Sequence, residues 1–378
     1  MGFAVTRTSK SLVVPTSPTP AGETLRLSSL DRVPGLRHLV LSLHAFDGAT
    51  RVEAAVGEGE VAASPARVVR EALGKALVDY YPFAGRFLEP EVEGGEVRVA
   101  CTGEGAWFVE AMAACSLEDV KHLDHPMVIP KEELLPEPSP DVPALDMPLM
   151  MQVTEFTCGG FVVGLISVHT IADGLGAGQF INAVGDYARG LPKPRLSPVW
   201  ARDLIPDPPR MPAPPPKLEL LDLREFTVDL TPDHIAKAKS DFFVSMGQRC
   251  SASPGASPTT TPSTSASSPT RATSCSPRLA GDVARWAVGG FAQDPYELRF
   301  TYDSLFVSDW TRLGFLEADY GWGAPTHVVP FSYHPFMAVA VIGAPPAPKI
   351  GARVMTMCVE EAHLPEFRDQ MNAFAAGK

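Results

Sequence analysis

The chain has 378 residues, of which 45% are hydrophobic and 20% are charged, an ordinary globular composition with enough length for two domains. Its formal net charge is −12 and no block of Lys or Arg stands out, which argues against a nucleic-acid partner. No apolar run is long enough to cross a bilayer, so we expect no membrane partner.

The cysteines are scattered along the chain and form no Cys-x-x-Cys pair. This spacing favours free thiols in a reducing cytosol over a disulfide framework or a zinc site. We therefore expect a cytoplasmic protein that binds no metal. The residues concerned are Cys101, Cys115, Cys158, Cys250, Cys275 and Cys358.

The first clear helix signal begins at Ser64. Serine is a good N-cap, and the Pro65 that follows suits the first helical position. Apolar residues then recur at helical spacing as far as Tyr80, and Pro82 and Gly85 end the pattern.

Residues 122–125, His-Leu-Asp-His, contain three side chains that could bind a metal. They precede a proline in a polar stretch, and no further ligand type lies nearby in the sequence. The pattern favours a solvated loop over a metal site.

Residues 161–166 form a continuous apolar run, which predicts a strand buried on both faces. The strand ends at Val168 and His169, and apolar residues after Gly174 fall at helical spacing. Two interpretations fit this pattern. In one, His169 is a general base and Asp173 orients its ring or holds the turn. In the other, His169 is a hydrogen-bonded core residue and Asp173 is a helix N-cap.

Gly174, Gly176 and Gly178 open this helix, so a dinucleotide-binding loop has to be considered. The third glycine of the Gly-x-Gly-x-x-Gly fingerprint is missing at the required spacing. Small residues beside a functional turn explain the three glycines better.

Residues 206–217, PDPPRMPAPPPK, predict a stiff, extended linker. We place the domain boundary there, with an N-terminal domain at 1–205 and a C-terminal domain at 218–378. Residues 231–233 start a further helix. A terminal amphipathic helix is indicated by the spacing of Leu364, Phe367, Met371 and Phe374.

Residues 251–278 are unlike the rest of the chain. Only Arg271, Cys275 and Arg278 in this span are not Ser, Thr, Pro, Ala or Gly. Such a segment cannot bury a core and is predicted to be disordered. Our hypothesis is that it is a frame-shifted or mis-spliced reading of the coding sequence.

Three motifs resemble those of the plant BAHD acyl-CoA-dependent acyltransferases, in the order that family shows. Residues 169–174, HTIADG, are similar to its HxxxDG motif. Residues 319–323, DYGWG, are similar to its DFGWG motif, with Tyr for Phe. Residues 80–86, YYPFAGR, resemble its YYPLAGR segment. The resemblance runs from about residue 3 to 251 and again from about 284 to the C-terminus.

The resemblance implies an α/β protein with the two-domain fold of chloramphenicol acetyltransferase, in which the second domain is apparently incomplete because of residues 251–278. It further implies that acyl-CoA is a co-substrate, that no cofactor is permanently bound, and that an alcohol or amine accepts the acyl group. The expected protein is a monomer. The sequence does not indicate which residues bind the CoA phosphates.

The resemblance also implies roles for the motif residues. His169 removes a proton from the acceptor, which attacks the thioester carbonyl. Trp322 or a backbone N–H is the candidate donor to the oxyanion. Asp173 belongs to the catalytic motif without relaying protons. In the family it pairs with an Arg of an Asn-x-Arg element that is absent here, so Asp173 is expected to be unpaired.

Other residues of the motifs are expected to be structural. Asp319 is expected to anchor the turn that contains Gly321 and Gly323. For Trp310, a place in the acceptor pocket and simple core packing both stay open.

Residues 31–38, DRVPGLRH, look like the grass hydroxycinnamoyl-transferring subgroup, which suggests p-coumaroyl-CoA or feruloyl-CoA as donor. Two alternatives remain. One is an inactive relic of the family, because part of a domain core is missing. The other is a peptide-forming condensation domain, which shares HxxxDG but usually carries two adjacent histidines, whereas Val168 precedes His169 here.

Overall fold

The computed structural model describes residues 3–20, 22–29, 31–32, 36–48, 64–90, 95–200, 207, 220–251, 302, 305–331 and 336–375. The predicted linker at 206–217, apart from Asp207, lies outside these residues, as do residues 252–278 of the unusual segment. The division into two domains at the linker stays a prediction.

The described part of the chain contains both strands and helices, with the strands mostly in runs of two to four between helices. In chain order the strands are β1 (Val5–Val13), β2 (Thr24–Arg26), β3 (Leu39–Phe46), β4 (Arg86–Leu88), β5 (Arg98–Ala100), β6 (Ala106–Ala113), β7 (Leu149–Glu155), β8 (Phe161–Val168), β9 (Leu223–Leu230), β10 (Leu305–Asp309), β11 (His327–Phe331), β12 (Ala338–Gly343) and β13 (Ala352–Glu360). The α-helices are α1 (Pro65–Asp79), α2 (Lys131–Leu134), α3 (Gly174–Ala188), α4 (Pro232–Ser251) and α5 (Leu364–Ala375).

The largest sheet has six strands in the order β1-β6-β7-β8-β3-β11. Only the β6–β7 pair in it is parallel. Its edge strand β11 follows the predicted linker in sequence yet pairs with β3, which precedes it. The sheet therefore takes strands from both sides of the predicted domain boundary.

The predicted central strand is confirmed as β8, and the reason for its unbroken apolar sequence is that both of its faces are covered. Val163 and Leu165 pack into the core formed with α1 and α3. Val162 and Ile166 pack into a second core on the other face of the sheet, which includes Leu134 of α2. Alternating side chains of one strand thus serve two separate cores.

The predicted helices at 64–80, 174–188 and 364–374 are confirmed. Ser64 caps α1, because its Oγ accepts a hydrogen bond from the Arg67 N–H at 3.3 Å. Helix α5 packs on the second sheet, which has the order β10-β12-β13-β9, and Phe367 meets Phe226 edge-on at 5.7 Å. None of the helices in the described ranges is both long and apolar enough to cross a membrane.

Helix α3 presents a glycine face to a segment from the second half of the chain. A Cβ on Gly178 would lie 1.8 Å from the carbonyl oxygen of Leu313, and one on Gly185 would lie 2.6 Å from that of Asp319. The Asn182 Nδ2 donates to the carbonyl oxygens of Gly178 and Gly314, at 2.9 and 2.7 Å. These contacts show that the glycines at Gly178 and Gly185 allow close backbone packing.

Replacing Gly178 with alanine is expected to destabilise the protein by about 1–3 kcal/mol, because the backbone at Leu313 would have to move. Denaturant unfolding followed by intrinsic fluorescence would measure the change. Gln179→Ala, at the next position of the same helix, is the matched control. Equal unfolding midpoints for the two variants would contradict the proposed close packing.

Candidate active site

His169 follows the last residue of β8 and is held by the segment that precedes β3. Its backbone N–H donates to the carbonyl oxygen of His38 at 2.9 Å. The Thr170 Oγ1 donates to the carbonyl oxygen of Leu36 at 3.2 Å. Since Leu39 and Val168 are paired in the sheet, the segment before β3 and the segment after β8 leave the sheet at the same end of these two strands. Two hydrogen bonds to the segment before β3 therefore fix the backbone around His169.

Asp173 is the N-cap of α3. Its Oδ1 accepts a hydrogen bond from the Gly176 N–H at 2.8 Å, and its carbonyl oxygen accepts one from the Ala177 N–H at 2.9 Å. The expectation that Asp173 is unpaired is therefore wrong for this oxygen, because the helix start supplies the partner. The N-cap interpretation of Asp173 is confirmed.

The imidazole of His169 is held in its neutral form. Burial of the ring and the neighbouring His38 lower the pKa of His169 to about 4, and the smaller opposing effects of Asp173 and Asp31 do not reverse this. A neutral imidazole has a nitrogen lone pair that can accept a proton. The ring is thus in the state that a general base requires at neutral pH.

A second imidazole lies next to this one. The ring centroids of His38 and His169 are 5.1 Å apart, and their planes are inclined by 33°. Both side chains are partly exposed, so the pair borders open space at the edge of the sheet. Sequence reasoning did not identify His38 as a site residue, because no local pattern relates a residue before β3 to one after β8.

Asp319 anchors the turn of the DYGWG motif. Its Oδ1 accepts hydrogen bonds from the N–H groups of Gly321 and Gly323, at 2.8 and 2.9 Å. Both glycines have a positive φ, +104° and +87°, which glycine tolerates best. The Oδ2 of Asp319 lies 3.5 Å from Nη1 of Arg189 at the end of α3. These contacts join the turn to α3.

Trp322 lies at the far end of β8 from His169. Its ring packs edge-on against Phe161, the first residue of the strand, at 5.3 Å between centroids. A strand rises about 3.3 Å per residue, so the two ends of β8 are about 23 Å apart. The prediction that the indole N–H of Trp322 stabilises the oxyanion is therefore wrong.

Trp310 is buried in the core. Its ring stacks on Phe315 with 4.8 Å between centroids, and its backbone N–H donates to the Ile342 carbonyl oxygen at 2.7 Å. Of the two interpretations left open for Trp310, these contacts favour core packing.

Residues 122–125 are only in part the solvated loop that the sequence suggested, because His125 is exposed whereas the three residues before it are partly or fully buried. The carbonyl oxygen of His122 lies 3.1 Å from Nδ1 of His327, and Leu123 is buried. Asp124 forms ion pairs with Arg353 at 2.6 Å and with Lys349 at 2.8 Å. The segment is a junction between the six-stranded and the four-stranded sheets, which the sequence could not reveal because its partners lie more than 200 residues away. Within the ranges that the structure describes, no cluster of His, Cys, Asp and Glu is arranged to hold a metal.

Comparison with known proteins supports the resemblance found in the motifs. The model of the family described as the Transferase family matches residues 3–249 and 280–374. The chain is 54% identical to Acyl transferase 4 of Oryza sativa subsp. japonica, over an alignment of 442 positions that covers 99% of this chain and 100% of the relative. That alignment is longer than the chain, so it contains positions of the relative without a counterpart here.

A more distant relative has a named substrate. The chain is 34% identical to the myricetin 3-O-glucosyl 1,2-rhamnoside 6'-O-caffeoyltransferase AT2 of Crocosmia x crocosmiiflora, with 99% of this chain and 100% of that protein covered.

The fold is similar to that of a solved structure that contains coenzyme A. TRI101 of F. sporotrichioides, whose crystal structure contains coenzyme A and T-2, superimposes with a TM-score of 0.58, covering 92% of this chain and 97% of that one. The sequences are 14% identical, so this similarity concerns the fold alone.

Proposed function

Since the chain belongs to the BAHD family of acyl-CoA-dependent acyltransferases and is an acyltransferase, we propose that it moves a hydroxycinnamoyl group from a CoA thioester to an alcohol or amine, with His169 as general base. The observation that carries this proposal is the neutral imidazole of His169, fixed through its backbone at the edge of the central sheet.

The proposed reaction needs one base and proceeds in two stages. His169 takes the proton from the acceptor O–H or N–H, while the acceptor atom forms a bond to the thioester carbonyl carbon. The tetrahedral intermediate then collapses, the C–S bond breaks, and the proton passes from His169 to the departing CoA sulfur. Because Trp322 lies at the other end of β8, a backbone N–H is the remaining candidate for the oxyanion donor.

The other motif residues have positioning roles in this proposal. Asp173 caps α3 and so shapes the turn that carries His169. Asp319, with Gly321 and Gly323, joins the DYGWG turn to α3.

Three observations support acyl-CoA, and specifically hydroxycinnamoyl-CoA, as the donor. The structure of TRI101, which has the same fold, contains coenzyme A. The relative from Crocosmia x crocosmiiflora is named as a caffeoyltransferase, and caffeoyl is a hydroxycinnamoyl group. Residues 31–38 suggest the same donor class through their resemblance to the grass subgroup. The cytoplasmic location and the monomeric state stay predictions.

One observation favours the alternative that the chain is an inactive relic. The family model matches on both sides of residues 250–279 but not within them. This gap includes the whole of the Ser-, Thr- and Pro-rich segment at 251–278. If that segment replaces part of a domain core, the chain as written has lost contacts that its relatives retain.

Release of free CoA thiol from a panel of donors tests the proposal directly. Purified protein would be incubated with p-coumaroyl-CoA, feruloyl-CoA or acetyl-CoA, with and without alcohol and amine acceptors, and the thiol detected with a chromogenic disulfide. We expect acceptor-dependent release that is faster with the hydroxycinnamoyl donors. A preference for acetyl-CoA would overturn the donor class, and no release by a folded, monodisperse protein would support the relic.

A further inference from the structure

The two histidines at the edge of the central sheet are brought together by strand pairing. His38 lies one residue before Leu39 of β3, and His169 lies one residue after Val168 of β8. Leu39 and Val168 are partners in the antiparallel pair, so the two histidines leave the sheet side by side. The hydrogen bond from the His169 N–H to the His38 carbonyl oxygen continues this pairing beyond the strands.

The segment that carries His38 is itself anchored. The His38 N–H donates to the Leu36 carbonyl oxygen at 3.0 Å. The neighbouring Arg37 pairs with Asp146 at 2.8 Å, and its guanidinium carbon lies 5.3 Å from the Phe87 ring centroid. These contacts hold the segment, so the His38 ring has a fixed position relative to His169.

Two imidazoles at this separation do not both carry a proton easily. Like charges about 5 Å apart repel, and burial weakens the solvation that would offset the repulsion. Protonation of one ring therefore disfavours protonation of the other, and the two titrate as a coupled pair. The opposing charges that affect His169 are those of Asp173 and Asp31.

We propose that His38 is a positioning residue for acyl transfer, which fixes the backbone of His169 and opposes protonation of its ring. This inference rests on the proposed role of His169 as the base. During the reaction, the proton taken from the acceptor makes an imidazolium at His169. When His38 carries a proton, it makes that imidazolium less stable and so favours transfer of the proton to the departing CoA sulfur.

The test is the pH profile of kcat/KM for His38→Gln. Glutamine removes the titrating ring but keeps a polar side chain, so the pKa of His169 should rise. Activity, which requires neutral His169, should then be lost at a higher pH as the solution is acidified, with the acid limb moved up by about one pH unit. His38→Lys keeps a positive charge, so its acid limb should stay at or below that of the parent.

His363→Gln, in an exposed turn before α5, is the control for replacing a histidine and should leave the profile unchanged. Titration of the histidine Cε1–H signals by NMR, over the pH range in which the variant stays folded, gives the pKa of His169 without turnover. An unchanged acid limb and an unchanged His169 titration in His38→Gln would overturn the inference. Loss of activity in His169→Ala together with that result would leave the proposed function intact.

Discussion

Replacing His169 with alanine is expected to lower kcat by about 100- to 10,000-fold, the usual contribution of a general base. The substitution removes the neutral imidazole at the end of β8 but leaves the backbone hydrogen bond from residue 169 to His38 possible. Acyl-CoA binding should therefore change little. Thiol release under saturating donor and acceptor would measure kcat, and calorimetric titration with CoA would measure binding.

The interpretation of this variant depends on the fold being intact. Far-UV circular dichroism and the unfolding midpoint of His169→Ala should match those of the parent. His363→Ala serves as the matched control and should keep full activity. Turnover of His169→Ala within a few-fold of the parent would remove His169 from the role of base.

Replacing Arg353 with methionine is expected to destabilise the protein by about 3 kcal/mol, because two carboxylates would lose one of the two cations that they share and keep only the half-exposed Lys349. The Arg353 side chain is 4% exposed and pairs with Asp124 at 2.6 Å and Asp229 at 2.7 Å. Asp124 belongs to the junction at 122–125 and Asp229 to β9, so one guanidinium connects that junction to the four-stranded sheet. We take the low end of the usual stability loss for removing one partner of a buried ion pair, since both carboxylates remain partly exposed.

Denaturant unfolding at several pH values would measure this effect. Although burial alone would raise the pKa of Asp124, hydrogen bonds from Lys349 and Arg353 lower it to about 2. A lowered carboxyl pKa stabilises the fold above the ordinary value of about 4, and this stabilisation is lost as the pH falls toward 2. Arg353→Met should therefore cost less stability at pH 3 than at pH 7.

Arg224→Met is the matched control, because Arg224 lies on β9 and its pairs with Asp222 and Glu361 are exposed. Exposed ion pairs contribute little to stability, so this variant should unfold close to the parent midpoint. Similar unfolding midpoints for Arg353→Met and Arg224→Met would show that the buried ion pairs of Arg353 stabilise the fold no more than the exposed ones of Arg224.

The sequence by itself determined the local elements around the site. The unbroken apolar run at 161–166 predicted a doubly buried strand because such a strand needs no polar face. The apolar spacing after Gly174 predicted α3, and Asp173 at its start matched the preference for an N-cap. The three motifs identified the family, and Asp319 was correctly expected to anchor its turn.

Only the tertiary structure decided which distant segments meet. Strand pairing placed His38 beside His169, and β11 joined a sheet whose other strands all precede the linker. It also placed Trp322 beside Phe161, too far from His169 to act on the same thioester carbonyl. Asp124 pairs with Arg353, 229 residues away. Side-chain periodicity and helix caps depend on residues that are close together in the sequence. The contacts between distant segments depend instead on which strands pair and which faces pack together, and no local sequence pattern specifies that choice.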